Sequence, residues 1–278
     1  MTGDAGECGG HWSSVVICVL FRLLKFDVIG VRQRATNMSF PTFDDKIVYD
    51  NNPLAEVTAQ FVFSPLIVIE NDRGEAFQKL IRDKFPYFDP DESGEGRDFL
   101  SPDTRWKISL GEGSLGLSTT LYERWSDFRE ELEYVSEQFV EAYGAPSLLG
   151  VQLSYRDVIS RVELGCPQTP WTELLETPLH GELAAPDLQG SVINVFRRVD
   201  VELEECPGTL RLTHGFDDRN GEQVYVLETL FSHLFKGELD DGYRQLESFH
   251  ELGVRVFRWA ITDELEQHLQ PRVIDGGE

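Results

Sequence analysis

Two helical stripes set the plan of this 278-residue chain. The first runs from Ser126 to Tyr143, where Phe128, Leu132, Val135, Phe139 and Tyr143 recur at the spacing of one helix face, and Gly144 and Pro146 end it. Asp127 and Glu130 stand at capping-box spacing, with Ser126 as an alternative cap. The second runs from Leu239 to His268, with Leu246, Phe249, Gly253, Val256, Phe257 and Ala260 along one side. An apolar stripe must be buried against another layer, and extended runs precede each stripe. In "LAEVTAQFVF", residues 54–63, Val57, Ala59, Phe61 and Phe63 share one face. "TRWKISL" places Trp106, Ile108 and Leu110 together, and "LGLSTTLYER" follows after Gly111 and Gly113 as the second arm of a hairpin.

The same order returns after Pro146. "SLLGVQLSY" alternates as a strand, "TPWTELLE" opens a short helix with Thr169 as cap and Pro170 in the first turn, and "SVINVFRRVDVEL" and "GTLRLTHGF" are extended. "EQVYVLETLF" returns after the Asn220-Gly221 turn. Between the first strand and the hairpin, Phe77, Leu80, Ile81 and Phe85 predict a helix, and residues 86–103 read as a loop. "STTLYERW" at 118–125 also resembles "LETLFSHL" at 227–234. The reading is an α+β protein of two similar β-α-β-β-α modules, residues 38–145 and 146–273, followed by a tail at 274–278. Each module is expected to be a twisted antiparallel sheet covered by its long helix.

Charge narrows the partners. Asp and Glu number 49 against 25 Lys and Arg, for a formal net charge of -24, with the acids spread along the chain. A phosphate backbone or an anionic membrane surface would meet net repulsion, so nucleic acid is not an expected partner. The four cysteines, Cys8, Cys18, Cys166 and Cys206, form no CxxC and are too few for a disulfide framework, which fits reduced thiols in a cytoplasmic protein.

Residues 1–37 differ from the rest. Their apolar run is broken by Arg22, Lys25 and Asp27, too early for a membrane span, and the bases follow the apolar stretch where a signal peptide would put them first. The only methionines are Met1 and Met38, and ordered patterning begins just past the second. Residues 1–37 therefore read as a disordered or mis-assigned extension, with translation beginning at Met38.

Pro53, Leu54, Glu56 and Val57 form a Pro-Leu-x-Glu-Val opening, and "FHELGVRVFRWAITDEL" at 249–265 closes the patterned region. In these residues the chain resembles a sporadically distributed prokaryotic family of uncharacterised proteins that open with Pro-Leu/Ile-x-Glu-Val. The resemblance spans Met38 to about Val273. It implies no assigned activity and no catalytic residues. Its sporadic distribution implies a role in a mobile defence or toxin-control locus. Leu54 and Val57 read as packing positions and Glu56 as a strand-end cap.

Linear catalytic motifs are absent: no phosphate loop, GxGxxG, GxSxG or HExxH occurs. "DDRNGE" fails as a calcium loop because Phe216 would occupy its first ligand position. Cys166, His180, Cys206 and His214 match no zinc spacing. No metal or cofactor is implied. One constellation remains. Arg197 sits among Ile193, Val195, Val199 and Val201; His214 among Leu210, Leu212 and Phe216; Glu228 among Val224, Val226 and Leu230. If the three runs are neighbouring strands, Arg197, His214 and Glu228 converge, either as an Arg197–Glu228 ion pair beside a hydrogen-bonded histidine or as a ligand-binding cluster, because an ionised group on an apolar face needs a partner. The expected function is a non-enzymatic binding or regulatory protein acting on a protein or small-molecule partner. The alternatives are a hydrolase whose site has no linear motif and a structural subunit of a complex.

Overall fold

The computed structural model describes residues 40–43, 45–90, 96–188 and 191–273. The readings made for residues 1–37, for a start at Met38 and for the tail at 274–278 lie outside the described residues.

Eleven strands and seven helices follow one another among these residues. The short strand β1 (Ile47–Tyr49) precedes β2 (Leu54–Phe63), then come α1 (Ile67–Asp72), α2 (Glu75–Ile81), β3 (Tyr87–Pro90) and β4 (Arg97–Leu100). A hairpin of β5 (Trp106–Gly111) and β6 (Ser114–Thr119) leads into α3 (Trp125–Tyr143). The chain returns as β7 (Leu148–Ile159), passes through α4 (Trp171–Leu174), α5 (Thr177–His180) and a 3-10 turn at Gly181–Ala184, and enters β8 (Phe196–Glu202), β9 (Thr209–Arg219) and β10 (Glu222–Gly237). Helices α6 (Leu239–Ala260) and α7 (Asp263–His268) and strand β11 (Pro271–Val273) complete the described chain.

Nine strands form one sheet in the order β3-β4-β5-β6-β2-β7-β10-β9-β8, every neighbour antiparallel. The mixed helix-and-strand class and the antiparallel pairing expected of the sequence are present. Two features differ from that expectation. Strands on either side of Pro146 share this single sheet through the β2–β7 pair, Phe61 opposite Val151 and Ala59 opposite Leu153. The stretch read as a loop contributes β3 and β4, and Phe99 of β4 packs on Phe77, 5.8 Å between ring centres. Its apolar residues come as the adjacent pairs Tyr87-Phe88 and Phe99-Leu100, which carry no period-two signal of a strand.

The two long helices lie side by side on one face of the sheet. The β2 residues Val57, Ala59, Phe61 and Phe63 point into this core, each at most 2% exposed. Phe63 packs on Phe139 of α3 at 5.2 Å, and Phe61 on Tyr243 of α6 at 5.2 Å, so one strand carries both helices. The stripe Phe128, Leu132, Val135 and Phe139 is buried as the periodicity predicts. Each such side chain contributes roughly 1.5–3 kcal/mol on burial. The expected caps of α3 do not form: Arg124 stands at the N-cap position, with no side-chain cap bond, and Ser126 bonds Asp127 instead.

Helix α6 sits close on the sheet because two glycines allow it. A Cβ on Gly242 would fall 2.6 Å from Leu148 Cδ1, and one on Gly253 would fall 2.8 Å from Tyr155 Cε2. The helix expected to run to His268 breaks at Ile261, which takes extended dihedrals and bridges Leu175. Thr262 then caps α7, its hydroxyl accepting from the Leu265 N–H at 3.3 Å. A two-stranded ribbon of β1 and β11 ties residues 47–49 to 271–273, locked by the Tyr49 hydroxyl donating to Glu266 at 2.9 Å. The sheet's other face carries register rows of mostly small or polar residues, such as Leu230, Ser154, Thr58, Ser118 and Lys107. No helix among the described residues is long and apolar enough to cross a membrane.

Candidate binding cleft

Period-two geometry decides which of the three candidate polar residues meet. Arg197 and His214 are direct cross-strand partners of β8 and β9. The partner of His214 on β10 is Leu227, whereas Glu228 stands opposite Thr213. Glu228 is therefore on the other face of the sheet. The expected Arg197–Glu228 ion pair does not form. The Arg156 Nε donates to Glu228 at 3.0 Å, and Asp217 lies 3.5 Å from the same guanidinium. Both ends of the Arg156–Glu228 pair are more than a third exposed, so solvent keeps its contribution below about 1 kcal/mol.

The sequence misled here because both faces of β10 are apolar. Val224, Val226 and Leu230 alternate as well as Tyr225, Leu227 and Phe231, and only the pairing with β9 sends the second set inward.

Arg197 pairs with Glu182 of the 3-10 turn at 2.6 Å, and its guanidinium lies against the backbone of Gly181. Gly181 has a φ of 44°, which disfavours a side chain, and a Cβ there would collide with that guanidinium. The neighbouring His214 is 5% exposed, and its Nδ1 is 2.5 Å from the Tyr225 hydroxyl. Burial first, and the nearby Arg197 charge second, hold the His214 pKa below the ordinary imidazole value. Burial likewise raises the Tyr225 phenol. The pair is a neutral hydrogen bond at physiological pH, sealed from solvent.

Trp171, Phe216 and Tyr225 form an aromatic triangle beside it, with ring centres 5.5–5.8 Å apart; Trp171 and Tyr225 are buried and Phe216 is half-buried. The Arg161 guanidinium lies 4.5 Å above the Trp171 ring and donates to the Thr169 carbonyl at 2.9 Å. A cavity of about 310 Å³ opens between Arg161, Trp171, Leu183, Val192, Phe216 and Gln223. A second, of about 380 Å³, adjoins it across Val192 and reaches Glu182, Ile193, Phe196 and Arg197. Such a cleft matches the size of ligand pockets, with apolar walls and a few convergent polar groups. Arg197 thus lines the second cavity, His214 is its buried cross-strand neighbour, and Glu228 stands on the other face of the sheet. Trp171, Arg161 and Gln223 were missed by sequence reasoning. Their one signal was Trp171 directly after Pro170, which reads as a helix start and says nothing of the β9 surface it meets in the fold.

The two described cysteines, Cys166 and Cys206, are free thiols whose pKa values burial raises. They are not activated nucleophiles.

No protein-family model matches the chain, and no curated protein is similar to it at a significant level.

Proposed function

We propose that the chain is a non-enzymatic binding or regulatory protein, and that its ligand is a flat, anionic small molecule held in the Trp171 cleft. One observation carries this reading: the cleft joins an aromatic wall, Trp171 and Phe216, to the guanidinium of Arg161 and the amide of Gln223. A planar ring packs on Phe216 beside the buried Trp171, and a carboxylate or similar anion meets Arg161 at the rim. His214 is neutral, buried and hydrogen-bonded to a phenol with a raised pKa, so it braces the cleft wall. A hydrolase would need base, acid and ligand in one concavity. Glu228 points to the other face, which favours binding over hydrolysis.

The test is calorimetric titration of the full chain with a panel of aromatic carboxylates, beside the Gln223→Leu and Arg161→Gln variants. Micromolar binding weakened at least tenfold by either substitution, with circular dichroism unchanged, supports the reading. Turnover of an ester or amide panel by the wild type, lost with the same substitutions, would replace it with the hydrolase.

We also infer that the two modules, 38–145 and 146–273, descend from one duplicated unit. The strand order supports this, because β4-β5-β6-β2 on one side of the central pair is answered by β8-β9-β10-β7 on the other. In each half the first long strand lies at the centre, the strand before the long helix lies beside it, and the helix folds back over that pair.

A further inference from the structure

The sheet ends at β8 in a manner that fits a second copy of this chain. β8 pairs with β9 along its whole length, from Phe196 opposite Gly215 to Glu202 opposite Thr209. Flanking bonds set the phase: the Phe216 N–H donates to the Val195 carbonyl, and the Leu203 N–H to the Gly208 carbonyl. Arg197, Val199 and Val201 therefore turn their backbone groups toward β9. Phe196, Arg198, Asp200 and Glu202 turn theirs outward, where no described strand pairs with them. The opposite edge, β3, is four residues long and ends in Pro90, a blunted edge. β8 is seven residues long and leaves Phe196 73% and Val199 48% exposed, with Ile193 just ahead at 89%. Four of its seven residues are charged, Arg197, Arg198, Asp200 and Glu202, so this unpaired edge is a template for a strand that answers both signs of charge.

We propose that β8 pairs antiparallel with β8 of a second copy about a twofold axis through Val199, so that the two sheets become one. The hydrogen-bond phase and the charges choose the same register. With the axis at Val199, the outward backbone groups of Arg198 meet those of Asp200 in the second copy, and those of Phe196 meet Glu202. Each Arg198 side chain lies opposite Asp200 of the other copy, twice over, and Val199 meets its own counterpart. Moving the axis to Arg197 sets Arg197 against itself, and moving it to Val201 sets Asp200 against Glu202; like charges directly opposite are destabilising. The interface is isologous, as a twofold axis requires. It rests on the strand edge alone and does not depend on what the Trp171 cleft binds. The high negative charge of each copy opposes association at range, so the dimer strengthens as salt screens it.

Three measurements on the full chain test this. Sedimentation equilibrium in physiological salt is expected to show a dimer with a Kd on the order of 10 µM or tighter. Arg198→Asp alone and Asp200→Arg alone are each expected to weaken it at least tenfold, and an equimolar mixture of the two variants to restore it, since only the mixed pair sets opposite charges at both positions. That rescue separates a lost interface from a misfolded chain. Under mild oxidation Val199→Cys is expected to cross-link above the wild-type background and Val201→Cys is not, because only the axial pair comes within disulfide reach, about 4.5 Å between Cα atoms. A monomer at every concentration, no recovery on mixing, or equal cross-linking of both cysteine variants overturns the proposal. A foreign strand on this edge would give the first of these results.

Discussion

Asp157 shows how one residue can set a pH dependence. It lies on the core face of β7 between Leu227 of β10 and Leu54 of β2, 6% exposed. Burial alone lifts its carboxyl to about 7. The sign follows from linkage. A carboxyl whose folded pKa is raised favours the folded state below its unfolded value, near 3.8, and withdraws that stability as pH rises toward 7. Asp157→Asn is therefore expected to stabilise the protein by about 2–4 kcal/mol at pH 8 and to change little at pH 4, read from urea midpoints at both values. His250 acts in the opposite direction. It stacks on Trp125 at 4.4 Å, shares a hydrogen bond of 2.9 Å with the Tyr155 hydroxyl, and burial depresses its pKa to about 4. A depressed imidazole contributes stability that is present above the unfolded value, near 6.5, and is lost as pH falls toward 4. His250→Gln is expected to flatten the acid limb of the stability curve between pH 6 and 4. Neither group could be placed from the sequence: Asp157 follows an alternating run whose burial depends on strands β2 and β10, and the burial of His250 depends on Trp125 and Tyr155, far from it in the chain.

The elements themselves were more legible, wherever one face is apolar and the other is not. The α3 stripe and the β2 alternation are visible because each packs on one side only, so the period survives in the residues. Strand β10 was harder, since both alternations are apolar and the face is chosen by its neighbours. The expected convergence of Glu228 with Arg197 and His214 fails for that reason. Helix α6 shows a second kind of information that spacing alone does not supply. Gly242 and Gly253 sit in its buried stripe, where they could be read as weak points; in the fold they are where the helix touches β7. Gly253→Val is expected to cost about 1–3 kcal/mol by forcing the helix off Tyr155, although valine has the better helix propensity. A gain in stability would show that α6 is not held at that distance.

At the scale of the molecule, composition and topology meet. The chain carries a formal charge of -24 with its acids spread along the sequence, so self-repulsion works against the compact state. Raising salt from about 20 mM to 500 mM, where the Debye length falls severalfold, is expected to raise the melting temperature by several degrees. A fall would place the balance with the surface ion pairs, such as Arg198–Asp200 and Lys79–Glu75. The order of the long strands and long helices along the chain, and hence the α+β class, was written in the sequence, because hydrophobic period is a local property that each such segment carries by itself. The joining of both halves into one sheet, the separation of Glu228 from Arg197 and His214, and the meeting of Trp171 with Phe216 were decided only in the tertiary structure. Those outcomes depend on register between strands far apart in the chain, and a shift of one residue in that register turns every side chain to the other face.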